Sequence, residues 1–207
     1  MTIARKERAA LVDTLRATGP DAPTLCEGWT TRDLAAHLVV RERRLDAAPG
    51  ILVPQLAGYT ARVQGQVTAS TDWPDLLGQV AAGPPLYSPF KLLDPLVNVA
   101  EMFIHHEDVR RAGKTWEPRV LDAETTASLA KQVRSFARMT LAKSPARVSL
   151  RTTDGTTLAT AGKGSPVTVT GEPGELLLFA AGREPVQLQF DGDADAVAAV
   201  KASHRGL

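Results

Sequence analysis

Glu101, His105 and Asp108 stand at i, i+4 and i+7 in "PLVNVAEMFIHHEDVRRAG" (95–113), and a helix brings residues at that spacing onto one face. A carboxylate and an imidazole one turn apart on an otherwise apolar face can supply two ligands to a divalent cation. His37 offers a third. It lies in "TRDLAAHLVVRERRLDAA", where Leu34, His37, Leu38 and Arg41 line one side of a predicted helix. Two histidines and one glutamate, with a fourth position open, make a known kind of catalytic zinc site, and such donors also accept nickel, cobalt, iron or manganese. The same i, i+4 pair can stabilise a helix with no ligand at all. Spacing alone therefore leaves a metal centre and a plain polar cluster both open.

The neighbouring residues divide by reach. His106 is rotated about a quarter-turn or more from His105, which removes it from the same ligand set and gives it a structural or rim position. Asp108 can orient an imidazole, the task that fixes tautomer and basicity, or it can pair with Arg111. Cys26 and Trp29 precede the His37 helix; no sequence neighbour activates the thiol, so Cys26 reads as an inert cysteine and Trp29 as a packing anchor. Arg183, in "LLLFAAGREP", either complements the end of a short helix or holds a substrate carboxylate. "TAGKGSP" lacks the Gly-x4-Gly-Lys-Ser/Thr pattern and is no phosphate loop.

The elements that must carry these residues are legible in the periodicity. Ile3, Glu7, Leu11 and Leu15 recur four apart, which predicts an amphipathic helix over 3–17. Thr30, three before Asp33, is an acidic variant of the capping box and opens the His37 helix. Leu56, Tyr59, Val63 and Val67 mark a third helical segment, and "WPDLLGQVAA" a further turn or two. "AGPPLYSPFKLLDP" reads as a loop that delivers the chain into the Glu101 helix. Asp122 caps a helix with Leu129, Val133, Phe136 and Thr140 on one face. Beyond "AKSPA" the pattern changes to strands around the Asp154-Gly155 hairpin turn, then "SPVTVTG", a short helix in "EPGELLLFAAG", a strand in "PVQLQF" and a last helix in "DADAVAAVKASH". These readings predict a helical bundle over 1–143 and a small α/β domain over 144–207.

Composition narrows the function. Lysine and arginine number 24 against 23 aspartates and glutamates, so no basic excess points to nucleic acid. No apolar run approaches the roughly 20 residues of a bilayer crossing, and the first residues form a charged helical pattern rather than a signal peptide. A single cysteine permits no intramolecular disulfide and suits a cytoplasmic protein.

Two segments carry a family likeness: "LCEGWTTRDLAAHL", which ends in His37, and "EMFIHHEDVRRAG", which holds Glu101 and His105, with "VTGEPGELLLFAAGR" as a C-terminal match. On these the chain resembles the mycothiol-dependent maleylpyruvate isomerase-like proteins of the DinB-like superfamily, particularly an actinobacterial metal-binding subgroup. The resemblance implies a DinB-like four-helix bundle followed by a small sterol-carrier-like α/β domain. It implies a divalent metal, commonly zinc, on His37, Glu101 and His105, with mycothiol as cosubstrate and Arg183 holding a substrate carboxylate. The expected activity is transfer of the thiol to a small electrophile, or its transient use in an isomerisation, by a monomer or homodimer. Metal-dependent hydrolysis of a small amide or thiol conjugate, with Asp108 or His106 as base, is the second enzymatic reading. A metal-stabilised binding or regulatory protein is the third.

Overall fold

The computed structural model describes residues 1–51 and 53–205, with the backbone alone for 89–90 and 92–97. The chain forms two compact units, Met1–Trp116 and Glu117–Leu207. Among the described residues no helix is long and apolar enough to cross a membrane.

The first unit is helical: α1 (Ile3–Thr18), α2 (Thr31–Arg43), α3 (Ala57–Ser70), α4 (Trp73–Ala82) and α5 (Pro89–Arg110). Leu11, Val12 and Leu15 of α1 form one apolar core with Leu34 and Leu38 of α2, Leu76, Leu77 and Val80 of α4, and Met102 and Val109 of α5. α3 lies against α2, where Val63 and Val40 share a smaller cluster. The predicted capping box is present: Thr30 accepts from the Asp33 amide, and Asp33 accepts from the Thr30 amide. A cap of this kind stabilises a helix by about 1 kcal/mol and fixes where it begins. It thereby sets the phase that brings His37 to the inner face.

α5 begins at Pro89, six residues before the expected start at Pro95. Proline in the first turn is compatible with a helix, since the amide it lacks has no intrahelical partner there. The proline-rich stretch read as a loop therefore already belongs in part to the helix that carries Glu101. The side chains of 89–90 and 92–95, within that stretch, lie outside the described residues.

The second unit holds α6 (Ala123–Thr140), β1 (Arg147–Arg151), β2 (Thr157–Ala161), β3 (Pro166–Thr170), α7 (Pro173–Ala180), β4 (Gln189–Gly192) and α8 (Ala194–Ala202). The sheet order is β2-β1-β3-β4, with β1 and β3 parallel and both edge strands antiparallel. The turn through Asp154-Gly155 joins β1 to β2 as expected, and Asp122 caps α6. β4 runs over 189–192, slightly beyond the stretch read as "PVQLQF".

The unit division at 116/117 differs from the expected boundary at 143/144. α6 turns Leu129, Val133 and Ala137 inward and packs on α7 and β2. Periodicity reveals that a helix has an apolar face but not which partner covers it. The glycines of "TAGKGSP" also receive a structural reason. Gly162 and Gly164 adopt positive φ, and a Cβ at either would run into the carbonyls of Ala146 or Pro145.

Candidate metal centre

α2 and α5 lie close enough for His37, Glu101 and His105 to converge. Glu101 Oε1 is 3.6 Å from His37 Nε2 and 3.3 Å from His105 Nε2. The three donor atoms lie within 4.8 Å of one another, a spacing that can hold a metal ion. The two imidazoles meet edge to face, with ring centroids 5.3 Å apart. Both histidines are buried, whereas Glu101 keeps 22% of its side chain exposed. The cluster is thus reachable from one side.

His105 is held from behind. Its Nδ1 is 2.9 Å from Asp108 Oδ2, which directs Nε2 towards Glu101. Asp108 is fully buried and takes the orienting role that its spacing allowed. The same Oδ2 accepts from the Cys26 thiol at 3.2 Å, and Cys26 Sγ is 4.0 Å from His105 Nδ1. Cys26 is therefore no bystander: with Asp108 and His105 it forms a second donor group of metal-binding spacing. Trp29 packs on His37, ring centroids 5.0 Å apart, and so limits rotation of that imidazole while it anchors the loop.

Electrostatics distinguish the three donors. Burial pushes the His37 imidazole below its ordinary range, and the bond to Glu101 only partly offsets this. Burial alone would raise the Glu101 carboxyl, but the Arg41 charge and the two histidines outweigh it and hold it well below the carboxylate range. Burial likewise opposes charge on His105, yet its bonds with Asp108, Cys26 and Glu101 prevail and raise it well above its ordinary value. Without metal, the centre holds an anionic glutamate between one neutral and one readily protonated imidazole.

The remaining candidates have partners of their own. His106 faces α1, where Nδ1 meets Glu7 Oε1 at 2.7 Å and Nε2 meets Thr14 Oγ1 at 2.8 Å, in keeping with a structural position. Arg111 pairs with Glu107 and stacks on Trp116. Arg183 belongs to the second unit, where its Nη1 donates to the Ala181 carbonyl at the end of α7. Sequence reasoning assigned no function to Arg41, whose Nε is 3.2 Å from Glu101 Oε1. The available signal was its position four residues after His37, on the same side of α2.

Comparison with solved structures finds a similar fold at low identity. The crystal structure of the mycothiol-dependent maleylpyruvate isomerase matches with 14% identity over 91% of this chain and 90% of that one, at a TM-score of 0.56. A histidine-to-alanine mutant of that isomerase matches with 13% identity over the same shares, at 0.58. A search of curated proteins found no match. The family model of the mycothiol maleylpyruvate isomerase N-terminal domain matches residues 2–172, most of both units. The chain therefore belongs to the mycothiol maleylpyruvate isomerase N-terminal domain family.

Proposed function

We propose that the protein is a divalent-metal-dependent enzyme that uses mycothiol, or a related low-molecular-weight thiol, on a small electrophile, by transfer or transiently in an isomerisation. The observation that carries this reading is the convergence of His37 Nε2 and His105 Nε2 on Glu101 Oε1, in a chain of this family. The residues fit a metal by their chemistry. Two imidazole nitrogens and a carboxylate suit zinc, and Asp108 fixes the His105 ring so that Nε2 faces the cluster. When bound, the ion would act as a Lewis acid that lowers the pKa of a thiol and favours its nucleophilic form at neutral pH.

The chain's own groups do the rest. Asp108 and Trp29 hold the two imidazoles in place, and Arg41 stands against Glu101 Oε1. The hydrolytic alternative gains nothing from its two suggested bases. Asp108 is buried behind His105, and His106 points to Glu7 and Thr14 on α1. Arg183 enters as substrate anchor through the family likeness, and unchanged turnover in Arg183→Ala removes it from the scheme.

We further read the first unit as a DinB-type four-helix bundle, supported by the core that α1, α2, α4 and α5 share. The second unit is read as sterol-carrier-like, and the protein as cytoplasmic, monomeric or homodimeric. The decisive experiment is elemental analysis of purified protein, followed by titration with mycothiol while the metal's X-ray absorption edge is recorded. One metal per chain and a new metal–sulfur shell are expected. Metal without sulfur shifts the reading to hydrolysis or a structural ion, and absence of metal reduces the cluster to helix-stabilising polar contacts.

A further inference from the structure

Arg41 is 5% exposed and sits one turn beyond His37 on α2. Its Nε approaches Glu101 Oε1, the same oxygen that faces both imidazoles. Its Nη1 donates to Asn98 Oδ1 at 2.7 Å and lies 4.0 Å from Glu42 Oε1. Glu42 is in turn gripped by Arg8, whose two terminal nitrogens each donate to one carboxylate oxygen. Arg8, Glu42 and Arg41 are buried and with the part-exposed Glu101 form a row of alternating charge that ends at a donor atom of the metal cluster.

A guanidinium stays charged in a protein and is costly to bury unless acceptors hold it well. A centre that had only to retain a dication would gain nothing from a permanent positive charge against its carboxylate ligand, because the two cations repel. The same charge is favourable if the centre must receive an anion. We propose that Arg41 is a positioning residue that aims Glu101 Oε1 at the two imidazoles and offsets its charge, so that the loaded centre prefers an anionic ligand, a thiolate or carboxylate, to a neutral one. This rests on the metal reading above and adds to it the charge class of what binds. Asn98 holds the same guanidinium through Nη1 while Nε faces Glu101.

The test uses the full chain loaded with cobalt(II), as wild type, Arg41→Lys and Arg41→Met. Each is titrated with azide and, separately, with imidazole, while the cobalt absorption bands are followed. Arg41→Met should lose about tenfold or more in azide affinity, equivalent to about 1.4 kcal/mol, with imidazole binding unchanged; Arg41→Lys should keep most of the preference. Equal loss for both ligands, or no loss for either, overturns the proposal and leaves Arg41 a structural ion pair. If Arg41→Met does not fold, Asn98→Ala serves. It retains the charge but frees its orientation, and it must weaken azide more than imidazole for the proposal to stand. Wild type that takes up no cobalt refutes the metal reading itself, whereas uptake without an Arg41-dependent anion preference refutes only this inference.

Discussion

His105 and His106 are consecutive on α5, and both are buried with partners at both ring nitrogens. The partners differ in kind. His106 lies between Glu7 and Thr14, both on α1, so its bonds tie two helices together within one closed contact. His105 has a carboxylate behind it and another in front, and the front one is shared with His37 and Arg41. The first arrangement satisfies a buried imidazole. The second gathers more donors and charge around one oxygen than helix packing requires, as the proposed metal centre needs.

Substitution should break this contrast most sharply. His37→Ala and His105→Ala are each expected to abolish tight metal binding, read as metal per chain after dialysis against a weak chelator. His106→Ala should keep stoichiometric metal and instead lower unfolding free energy by about 1–3 kcal/mol, the cost of stranding a buried polar partner. Stoichiometric metal in His37→Ala, or its loss in His106→Ala, would reverse the assignment of the two faces.

A smaller effect comes from the residues behind each ring. Asp108→Asn should weaken metal affinity by about 10- to 100-fold, since it removes the acceptor that fixes the His105 tautomer. Glu7→Gln, the matching change behind His106, should leave affinity unaltered. Competition with a chromophoric chelator measures both, and equal affinities in the two variants would show that Asp108 orients nothing.

The smallest effect is on the pH dependence of metal-free protein. His105 has its pKa raised in the fold, so the stability it contributes is fully present below its ordinary value near 6.5 and is lost as pH rises through the raised value. His37 is shifted the other way, so its contribution is complete above 6.5 and is lost as pH falls through the lowered value. The melting temperature of metal-free protein should therefore decline on the alkaline side. Metal binding needs His105 deprotonated, so a loaded sample should lose that decline. Thermal melts with and without zinc decide the matter, and a metal-free melting temperature that climbs from about pH 7 to about pH 9 contradicts the shift on His105.

Much of the centre was legible because helices convert sequence spacing into geometry. Glu101 and His105 share a face by their four-residue separation, and the Thr30–Asp33 cap fixes the phase of His37. That α2 and α5 face each other did not follow from periodicity; the two-segment family likeness supplied it. Cys26 was out of reach for a different reason: its partner Asp108 lies 82 residues away, and its position depends on the path of a loop. Arg41 stood on the same side of its helix as His37 but carried no assigned role, because spacing does not show that its guanidinium meets Glu101. In the second unit the hairpin at Asp154-Gly155 and the cap at Asp122 were local signals, while the packing of α6 on α7 and β2 was a tertiary outcome.

The loop that carries Cys26 and Trp29 is fastened to α5 by main chain as well as side chain, since the Leu25 amide donates to the Asp108 carbonyl at 3.0 Å. That amide belongs to the segment whose Cys26 and Trp29 touch Asp108 and His37, and its acceptor belongs to the residue that orients His105. Its deuterium uptake is therefore a clock for how often that segment lifts from α5, and one that ticks whether or not any chemistry takes place at the cluster.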